Sequence, residues 1–129
     1  DLHLHSVKDG CSEGACGTCT IVVDGKAVKS CILTTKRAAG KNIITTEGLS
    51  DAEKEAFVYA FGAMGSVQCG FCTPGLIMSA VEIVGTGKKY NREELKKLIS
   101  GHLCRCTGYE NILNAMERIV EETYRVVGE

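Results

Sequence analysis

The stretch Gly10-Cys11-Ser-Glu-Gly14-Ala-Cys16-Gly-Thr-Cys19 carries three cysteines with C-x4-C-x2-C spacing, and Cys31 follows after eleven further residues. These four cysteines form the first quartet. The second quartet contains a C-x2-C pair and a C-x-C pair separated by 31 residues: Cys69, Cys72, Cys104 and Cys106. The two quartets use all eight cysteines of the 129-residue chain. Because four thiolates are a common ligand set for protein metal centres, the sequence predicts two such centres.

The spacing of the first quartet favours one kind of centre. C-x4-C-x2-C is the pattern of plant-type [2Fe–2S] ferredoxins. Zinc is the main alternative, because four-thiolate zinc sites also use C-x2-C pairs. A secreted scaffold held by disulfides is a second alternative, since the number of cysteines is even. The spacing favours iron–sulfur centres, and the residues alone leave the other two open.

Composition excludes several classes of function. Fifteen basic and sixteen acidic residues give a net charge of −1, which argues against a nucleic-acid-binding surface. No apolar run approaches the length of a membrane span, and we expect a cytoplasmic protein. The chain begins at Asp1 rather than Met, so a lost targeting segment stays open. We find no candidate acid–base pair and no flavin fingerprint, and we therefore expect no catalytic residue in this chain.

The first part of the chain predicts a β-hairpin. Apolar segments on both sides of Asp24-Gly25 indicate strands over 20–23 and 26–30, joined by a two-residue turn. Pairing of the residues that flank this turn places Thr18 opposite Cys31. The hairpin would therefore return the fourth thiol of the first quartet to the loop that carries the other three.

A further strand is expected over 42–46, and the signals become helical from Ser50 onward. Three helices are predicted: from about 51 to 64, from Pro74 to about 84, and from the Asn91 cap to about 100. A fourth helix follows, and its apolar face is formed by Ile112, Met116, Ile119, Val120 and Thr123. Their start signals are a Ser50/Glu53 capping box, a Thr73-Pro74 start, an Asn91/Glu94 cap and a Thr107/Glu110 cap. Four helices that run up and down would bring the two cysteine pairs of the second quartet to one end, each before a helix N-terminus.

Three polar residues near the second quartet are further candidates. Gln68 is either an ordinary loop residue or an amide that binds the edge of a heterocyclic cofactor. Arg105 lies between two ligands and either offsets their charge or is solvated. We expect His102 to be a core or loop histidine, because the quartet is complete without it.

Three blocks together resemble a known family: the loop at 10–19, Val67-Gln68-Cys69-Gly-Phe-Cys72-Thr-Pro-Gly75, and Gly101-His-Leu-Cys104-Arg-Cys106-Thr-Gly-Tyr109. In this order they resemble the iron–sulfur subunit or domain of the xanthine oxidase family, the molybdenum hydroxylases. The resemblance implies an α+β fold. A β-grasp ferredoxin-like domain at 1–48 would hold the first quartet, and a four-helix-bundle domain at 49–129 would hold the second.

The resemblance also implies a function. Each quartet would hold a [2Fe–2S] cluster, and electrons would pass from molybdopterin to the second quartet, then to the first, and on to FAD or another acceptor. Gln68 and Cys106 would lie near the molybdopterin. The partner would be a large molybdopterin-binding subunit or fused domain, with an FAD subunit as a further partner. A free-standing ferredoxin or redox sensor, and a zinc-binding interaction module, are the alternatives.

The chain departs from this family pattern at its beginning. Members of the family start with a β-hairpin and a helix before the first cluster loop, whereas only Asp1 to Gly10 precede it here. We therefore expect a fragment, or a chain whose beginning is missing. The end at Val126-Val-Gly-Glu129 is compatible with a natural terminus or with a cut before a fused molybdenum domain.

Overall fold

The computed structural model describes residues 2–127 and combines a small antiparallel sheet with helices, so the α+β class is confirmed. The expectations for Asp1, for the side chain of Thr123, and for Gly128 and Glu129 lie outside the described residues. Among the helices in the described range, none combines the length and the apolar character that crossing a membrane requires.

The sheet has three strands in the order β2-β1-β3: β1 (Thr20–Val23), β2 (Lys26–Lys29) and β3 (Ile43–Ile44). β1 and β2 form the expected hairpin, with Val23 paired to Lys26. The Ser30 N–H donates to the Cys19 carbonyl at 3.2 Å and extends the pairing by one residue. The strand expected over 42–46 is shorter than predicted, and it pairs antiparallel with the other edge of β1.

The helices are α1 (Thr35–Ala38), α2 (Asp51–Ala63), α3 (Thr73–Thr86), α4 (Arg92–Ile99) and α5 (Glu110–Val127). The capping box of Ser50 and Glu53 on α2 is confirmed, as is that of Asn91 and Glu94 on α4. In each box, the side chain of the N-cap residue accepts from the backbone N–H of the glutamate, and the glutamate side chain accepts from the backbone N–H of the N-cap residue. These local signals fix where the two helices begin.

Two expectations about helix starts were wrong, and one short helix was not predicted. Thr73 is the first residue of α3 rather than its N-cap, and Cys72 occupies the N-cap position. Thr107 does not cap α5, which begins at Glu110; the Thr107 hydroxyl donates to the Cys104 sulfur instead. The short helix α1 had not been predicted at all. In the first case Cys72 occupies the position expected for Thr73, and in the second the Cys104 sulfur is the partner of the Thr107 hydroxyl.

The sheet and the helices share one apolar core. Val22 of β1 is 1% exposed and belongs to the same cluster as Leu76 of α3, Leu95 of α4 and Ile112 of α5. α3 packs against β1 and β2 on one side and against α5 on the other. This central position of α3 brings its N-terminus, with Cys72, close to the strand that follows Cys19.

The segment before the first cysteine contacts Glu47, and its Lys8 ammonium lies over the Phe71 ring at 5.0 Å. The Ser6 backbone N–H and hydroxyl donate to the two carboxylate oxygens of Glu47 at 2.9 and 2.5 Å, and the Thr45 hydroxyl donates at 2.7 Å. Partial burial raises the pKa of Glu47, but these hydrogen bonds outweigh that effect and lower the pKa to about 2. The ionised carboxylate therefore stabilises the folded chain.

We predict that Glu47→Gln lowers the free energy of unfolding at pH 7 by about 1 kcal/mol, because the hydrogen bonds to a charged acceptor are weakened. Since the pKa is lower in the folded than in the unfolded chain, this stabilisation is complete above pH 4.5 and disappears as the pH falls toward 2. Urea unfolding as a function of pH measures the difference from the wild type. Glu55→Gln, at an exposed position of α2, is the control, and an equal pH-dependent effect of both changes would contradict the account.

Candidate metal centres

The hairpin brings the first quartet together. Cys11 and Cys16 lie in the loop before β1, Cys19 immediately precedes β1, and Cys31 lies in the 3-10 turn Ser30–Ile32 that follows β2. The Cys31 N–H donates to the Cys19 sulfur at 3.4 Å. The Cys16 thiol contributes to the lowered pKa of Cys11, and the Cys31 thiol contributes to the lowered pKa of Cys19, so each pair of thiols lies close together. The predicted return of Cys31 to the loop is confirmed.

Backbone N–H groups of the loop point at one sulfur of the first quartet. Cys11 Sγ accepts from the N–H groups of Glu13, Ala15 and Cys16 at 3.5, 3.3 and 3.4 Å. These bonds lower the pKa of the Cys11 thiol to about 7. The loop reaches this arrangement with Gly14 in the left-handed region at φ +76°, where a residue without Cβ is least strained. The loop is therefore built to stabilise negative charge on sulfur.

The second quartet joins two connections between helices. Cys69 and Cys72 lie between α2 and α3, and Cys104 and Cys106 lie between α4 and α5. The sulfurs of Cys69 and Cys106 are 3.6 Å apart, and the neighbouring Cys104 thiol contributes to the raised pKa of Cys72. The prediction that these two sequence-distant pairs are neighbours in space is confirmed.

The backbone N–H and the sulfur of Cys104 each form a hydrogen bond with a different side-chain hydroxyl. The Cys104 N–H donates to the Tyr109 hydroxyl at 2.9 Å, and the Thr107 hydroxyl donates to Cys104 Sγ at 3.1 Å. Tyr109 adopts a φ of 74°, which is uncommon for a residue with a side chain. Partial burial raises the pKa of Cys104, but the hydrogen bonds from Thr107 lower it below its ordinary value.

Cys72 has the opposite environment. It is 9% exposed at the N-terminus of α3, and burial together with the neighbouring Cys104 raises the pKa of its thiol to about 12. Cys69 and Cys106, by contrast, are exposed. A bound metal ion deprotonates a coordinating thiol outright, so the protonated state of Cys72 at neutral pH is compatible with a ligand role. The helix N-terminus beside Cys72 favours negative charge there.

The donor sets fit iron–sulfur centres on geometry and chemistry. Two thiolates on one tetrahedral metal with bonds of about 2.3 Å lie roughly 3.7 Å apart, close to the 3.6 Å between Cys69 and Cys106. All eight thiols are free, and each quartet has N–H or hydroxyl donors on its sulfurs. The described residues contain no group of three or more His, Cys, Asp or Glu side chains arranged as a single-ion site. Cys69 and Cys106 form a thiol pair of the kind that one iron of a [2Fe–2S] cluster would take.

The loops of the two quartets are joined directly. The Leu103 N–H, next to Cys104, donates to the Cys16 carbonyl at 2.9 Å. The Thr18 hydroxyl, next to Cys19, donates to the Phe71 carbonyl at 3.1 Å. These contacts were not predicted from the sequence, because nothing local indicates which distant backbone groups will meet. They bring the loops of the two quartets into direct contact.

The other candidate residues have different surroundings. His102 is 5% exposed and its Nε2 is 2.6 Å from the Ser79 hydroxyl, so the expectation of a core histidine is confirmed. Burial and the nearby Lys29 lower the pKa of His102 to about 4, and the ring is neutral at pH 7. Gln68 and Arg105 are exposed beside the second quartet. Their suggested roles toward a cofactor or a cluster stay predictions.

Comparison with known proteins agrees with this arrangement. Residues 45–117 match the family model of the [2Fe-2S] binding domain. The small subunit of nicotine 6-hydroxylase from Paenarthrobacter nicotinovorans is 43% identical over 116 residues, which cover 90% of this chain and 70% of that protein. The iron-sulfur-binding subunit of xanthine dehydrogenase from Escherichia coli O157:H7 is 45% identical over 116 residues, which cover 88% of this chain and 73% of that protein.

A solved structure extends the likeness to three dimensions. Quinoline 2-oxidoreductase from Pseudomonas putida 86 contains a chain that is 41% identical, with a TM-score of 0.85, over 95% of this chain and 77% of that one. The fold and the thiol sets thus define a [2Fe–2S]-binding protein. More narrowly, this chain belongs to the iron–sulfur subunits of the xanthine dehydrogenase family of molybdenum hydroxylases.

We predict that Gly75→Ala disrupts the contact between the two cysteine loops. A β-carbon at Gly75 would overlap the Gly17 carbonyl oxygen, and backbone on both sides has little freedom to move. The expected cost is about 1–3 kcal/mol, with a fall of several degrees in the unfolding temperature.

Gly85→Ala in the same helix is the matched control for this prediction. A β-carbon at Gly85 meets nothing within 4 Å, so helix propensity should make this change neutral or slightly stabilising. Thermal unfolding followed by circular dichroism, at equal metal content, compares the two variants. Equal unfolding temperatures would contradict the proposed close approach of α3 to the first loop.

Proposed function

We propose that this chain carries electrons, one at a time, between a molybdopterin-containing partner and an acceptor. Four cysteines would hold each of two [2Fe–2S] centres: Cys11, Cys16, Cys19 and Cys31 in the first, and Cys69, Cys72, Cys104 and Cys106 in the second. The observation that carries this proposal is the meeting of two complete thiol sets whose loops are hydrogen-bonded to each other through Leu103 and Cys16. Membership of the iron–sulfur subunit family supports it.

The chain's own groups control charge at each centre. A bound [2Fe–2S] cluster supplies reversible one-electron chemistry, with a potential that depends on hydrogen bonds to sulfur and on solvent exposure. Three N–H groups stabilise negative charge on Cys11, and the Thr107 hydroxyl does so on Cys104. Each set has one buried cysteine, Cys19 in the first and Cys72 in the second, so the difference between the sets lies in their hydrogen-bond donors. The two thiol sets therefore offer different electrostatic surroundings, which is what a directional pair of centres requires.

The loop contacts provide a short connection between the two thiol sets. From Cys104 the route passes through the adjacent Leu103 N–H to the Cys16 carbonyl, which belongs to a ligand of the other set. A second route runs from Cys72 through the Phe71 carbonyl to the Thr18 hydroxyl, next to Cys19. Both routes consist of one or two residues and a single hydrogen bond.

The finer assignments follow from the same resemblance and are part of this proposal. Residues 1–48 would form a β-grasp ferredoxin-like domain, incomplete at its beginning, and residues 49–129 a four-helix-bundle domain. Gln68 and Cys106 would face the molybdopterin of the large partner. Their exposure beside Cys69 supports this orientation. Acceptance by FAD or another group at the exposed Cys31 side, and a cytoplasmic location, stay predictions.

We predict that the purified chain contains about four irons and four sulfides, and that visible absorption bleaches on reduction with dithionite. Cys31→Ser and Cys106→Ser should each weaken or remove one centre and leave the other, because they belong to different thiol sets. Metal analysis, sulfide determination and absorption spectra measure this. A colourless protein that contains zinc would instead support an interaction module, and loss of both centres in either variant would contradict the assignment to separate sets.

We predict that Thr107→Val lowers the reduction potential of the second centre, because a hydroxyl donor 3.1 Å from the Cys104 sulfur is lost. Thr107→Ser keeps the hydroxyl and should retain most of the potential. A redox titration followed by electron paramagnetic resonance reports both centres, so the first centre is an internal reference. An unchanged second centre, or an equal shift of both, would show that the hydroxyl has no specific role.

A further inference from the structure

Positive charge is concentrated in the segment that carries Cys31, whereas Asp9, just before the first loop, lines the same surface depression as that thiol. Between Asp24 and Glu47 the sequence has five cationic residues, Lys26, Lys29, Lys36, Arg37 and Lys41, and no anionic residue. The whole chain has a net charge of −1, so this segment is set apart from the average. It includes β2, the turn that carries Cys31, and α1.

Two of these cationic side chains form a hydrogen bond or an ion pair within the protein. Lys29 Nζ donates to the Gly14 carbonyl at 2.6 Å, and Lys41 forms an ion pair with Asp24 at 3.6 Å. In the described part of the chain, the side chains of Lys26, Lys36 and Arg37 make no hydrogen bond or ion pair. All three are exposed. Their charges are therefore directed to solvent or to a partner.

The same surface reaches the first cluster loop. Cys31 is exposed, and the adjacent Ile32 is 58% exposed. The Ile32 side chain lies close to Gly14, because a β-carbon there would approach it within 3.2 Å. An exposed ligand thiol and an exposed aliphatic side chain thus lie on the same run of residues as Lys36 and Arg37. We name Cys31, Ile32, Lys36 and Arg37 the acceptor face.

We propose that the acceptor face is a docking surface for an electron-accepting protein or domain with an acidic surface. This inference rests on the proposed function and adds the chemistry of the partner. Complementary charge raises the rate of encounter, and a small apolar centre with a charged rim suits the transient interfaces of electron-transfer proteins. The exposed Ile32 supplies such a centre beside Cys31. The free cations supply the rim.

Two proteins of opposite charge test this proposal: flavodoxin, an acidic flavoprotein, and cytochrome c, a basic haem protein. The full chain, reduced with dithionite, is mixed with each in a stopped-flow instrument. Each event moves one electron out of the chain: flavodoxin takes it with a proton and becomes the flavin semiquinone, and ferric cytochrome c becomes ferrous. Binding of oxidised flavodoxin to the oxidised chain, measured by calorimetry at low salt, gives a readout that does not depend on electron transfer.

We expect the rate with flavodoxin to fall as ionic strength rises. The double variant Lys36→Glu/Arg37→Glu should reduce the low-salt flavodoxin rate at least about tenfold, weaken its binding, and increase the rate with cytochrome c. Lys88→Glu/Lys89→Glu, beyond the C-terminus of α3, changes the net charge equally and is the control. It should alter the flavodoxin rate by less than about twofold.

Two results would overturn the docking proposal alone. One is that both double variants, each prepared with about four irons per chain, change the flavodoxin rate by the same factor. The other is a flavodoxin rate that does not respond to salt or to the reversal at Lys36 and Arg37. Wild-type protein without [2Fe–2S] centres would overturn the proposed function as well, so iron and sulfide content separates the two failures.

Discussion

The backbone contact between the two cysteine loops is the constraint on which the rest of the structure depends. The Leu103 N–H donates to the Cys16 carbonyl at 2.9 Å, and Gly75 lies against the Gly17 carbonyl. A side chain at Gly75 would separate the first turn of α3 from the first loop. Because Cys72 occupies the N-cap position of α3 and Leu103 precedes Cys104, this one contact region positions cysteines of both thiol sets. The shared core of β1 and α3 follows from the same close approach.

Within that frame the two thiol sets differ in what stabilises their charge. Three backbone N–H groups converge on Cys11, in a loop that contains left-handed glycines. The second set combines a side-chain and a backbone donor: the Thr107 hydroxyl donates to the sulfur of Cys104, and the Phe71 N–H donates to the sulfur of Cys69. Cys72 adds a buried position at a helix N-terminus. A chain that passes electrons in one direction benefits from such a difference, since potentials follow hydrogen bonding and exposure.

Sequence reasoning succeeded where the determinants are local. The Asp24-Gly25 turn fixed the pairing of Val23 with Lys26, and capping boxes fixed the starts of α2 and α4. It failed where a distant or unusual partner competes. Thr107 has the sequence context of a cap, yet its hydroxyl donates to the Cys104 sulfur, and Cys72 rather than Thr73 occupies the N-cap position of α3. The bond from Leu103 to Cys16 joins residues 87 positions apart, and no local pattern specifies it. Cysteine spacing still predicted which thiols meet, because the hairpin returns Cys31 to the first loop and the two helix connections that carry the second quartet lie side by side.

Electron paramagnetic resonance of the dithionite-reduced chain tests the central claim most directly, namely that two [2Fe–2S] centres are held next to each other. The account predicts about two unpaired electrons per chain, in two distinguishable signals that broaden each other because the loops are in contact. Integration against a spin standard, at full and at partial reduction, gives both quantities. A single signal of about one electron per chain, two signals without mutual broadening, or no signal from a zinc-containing protein would contradict the account.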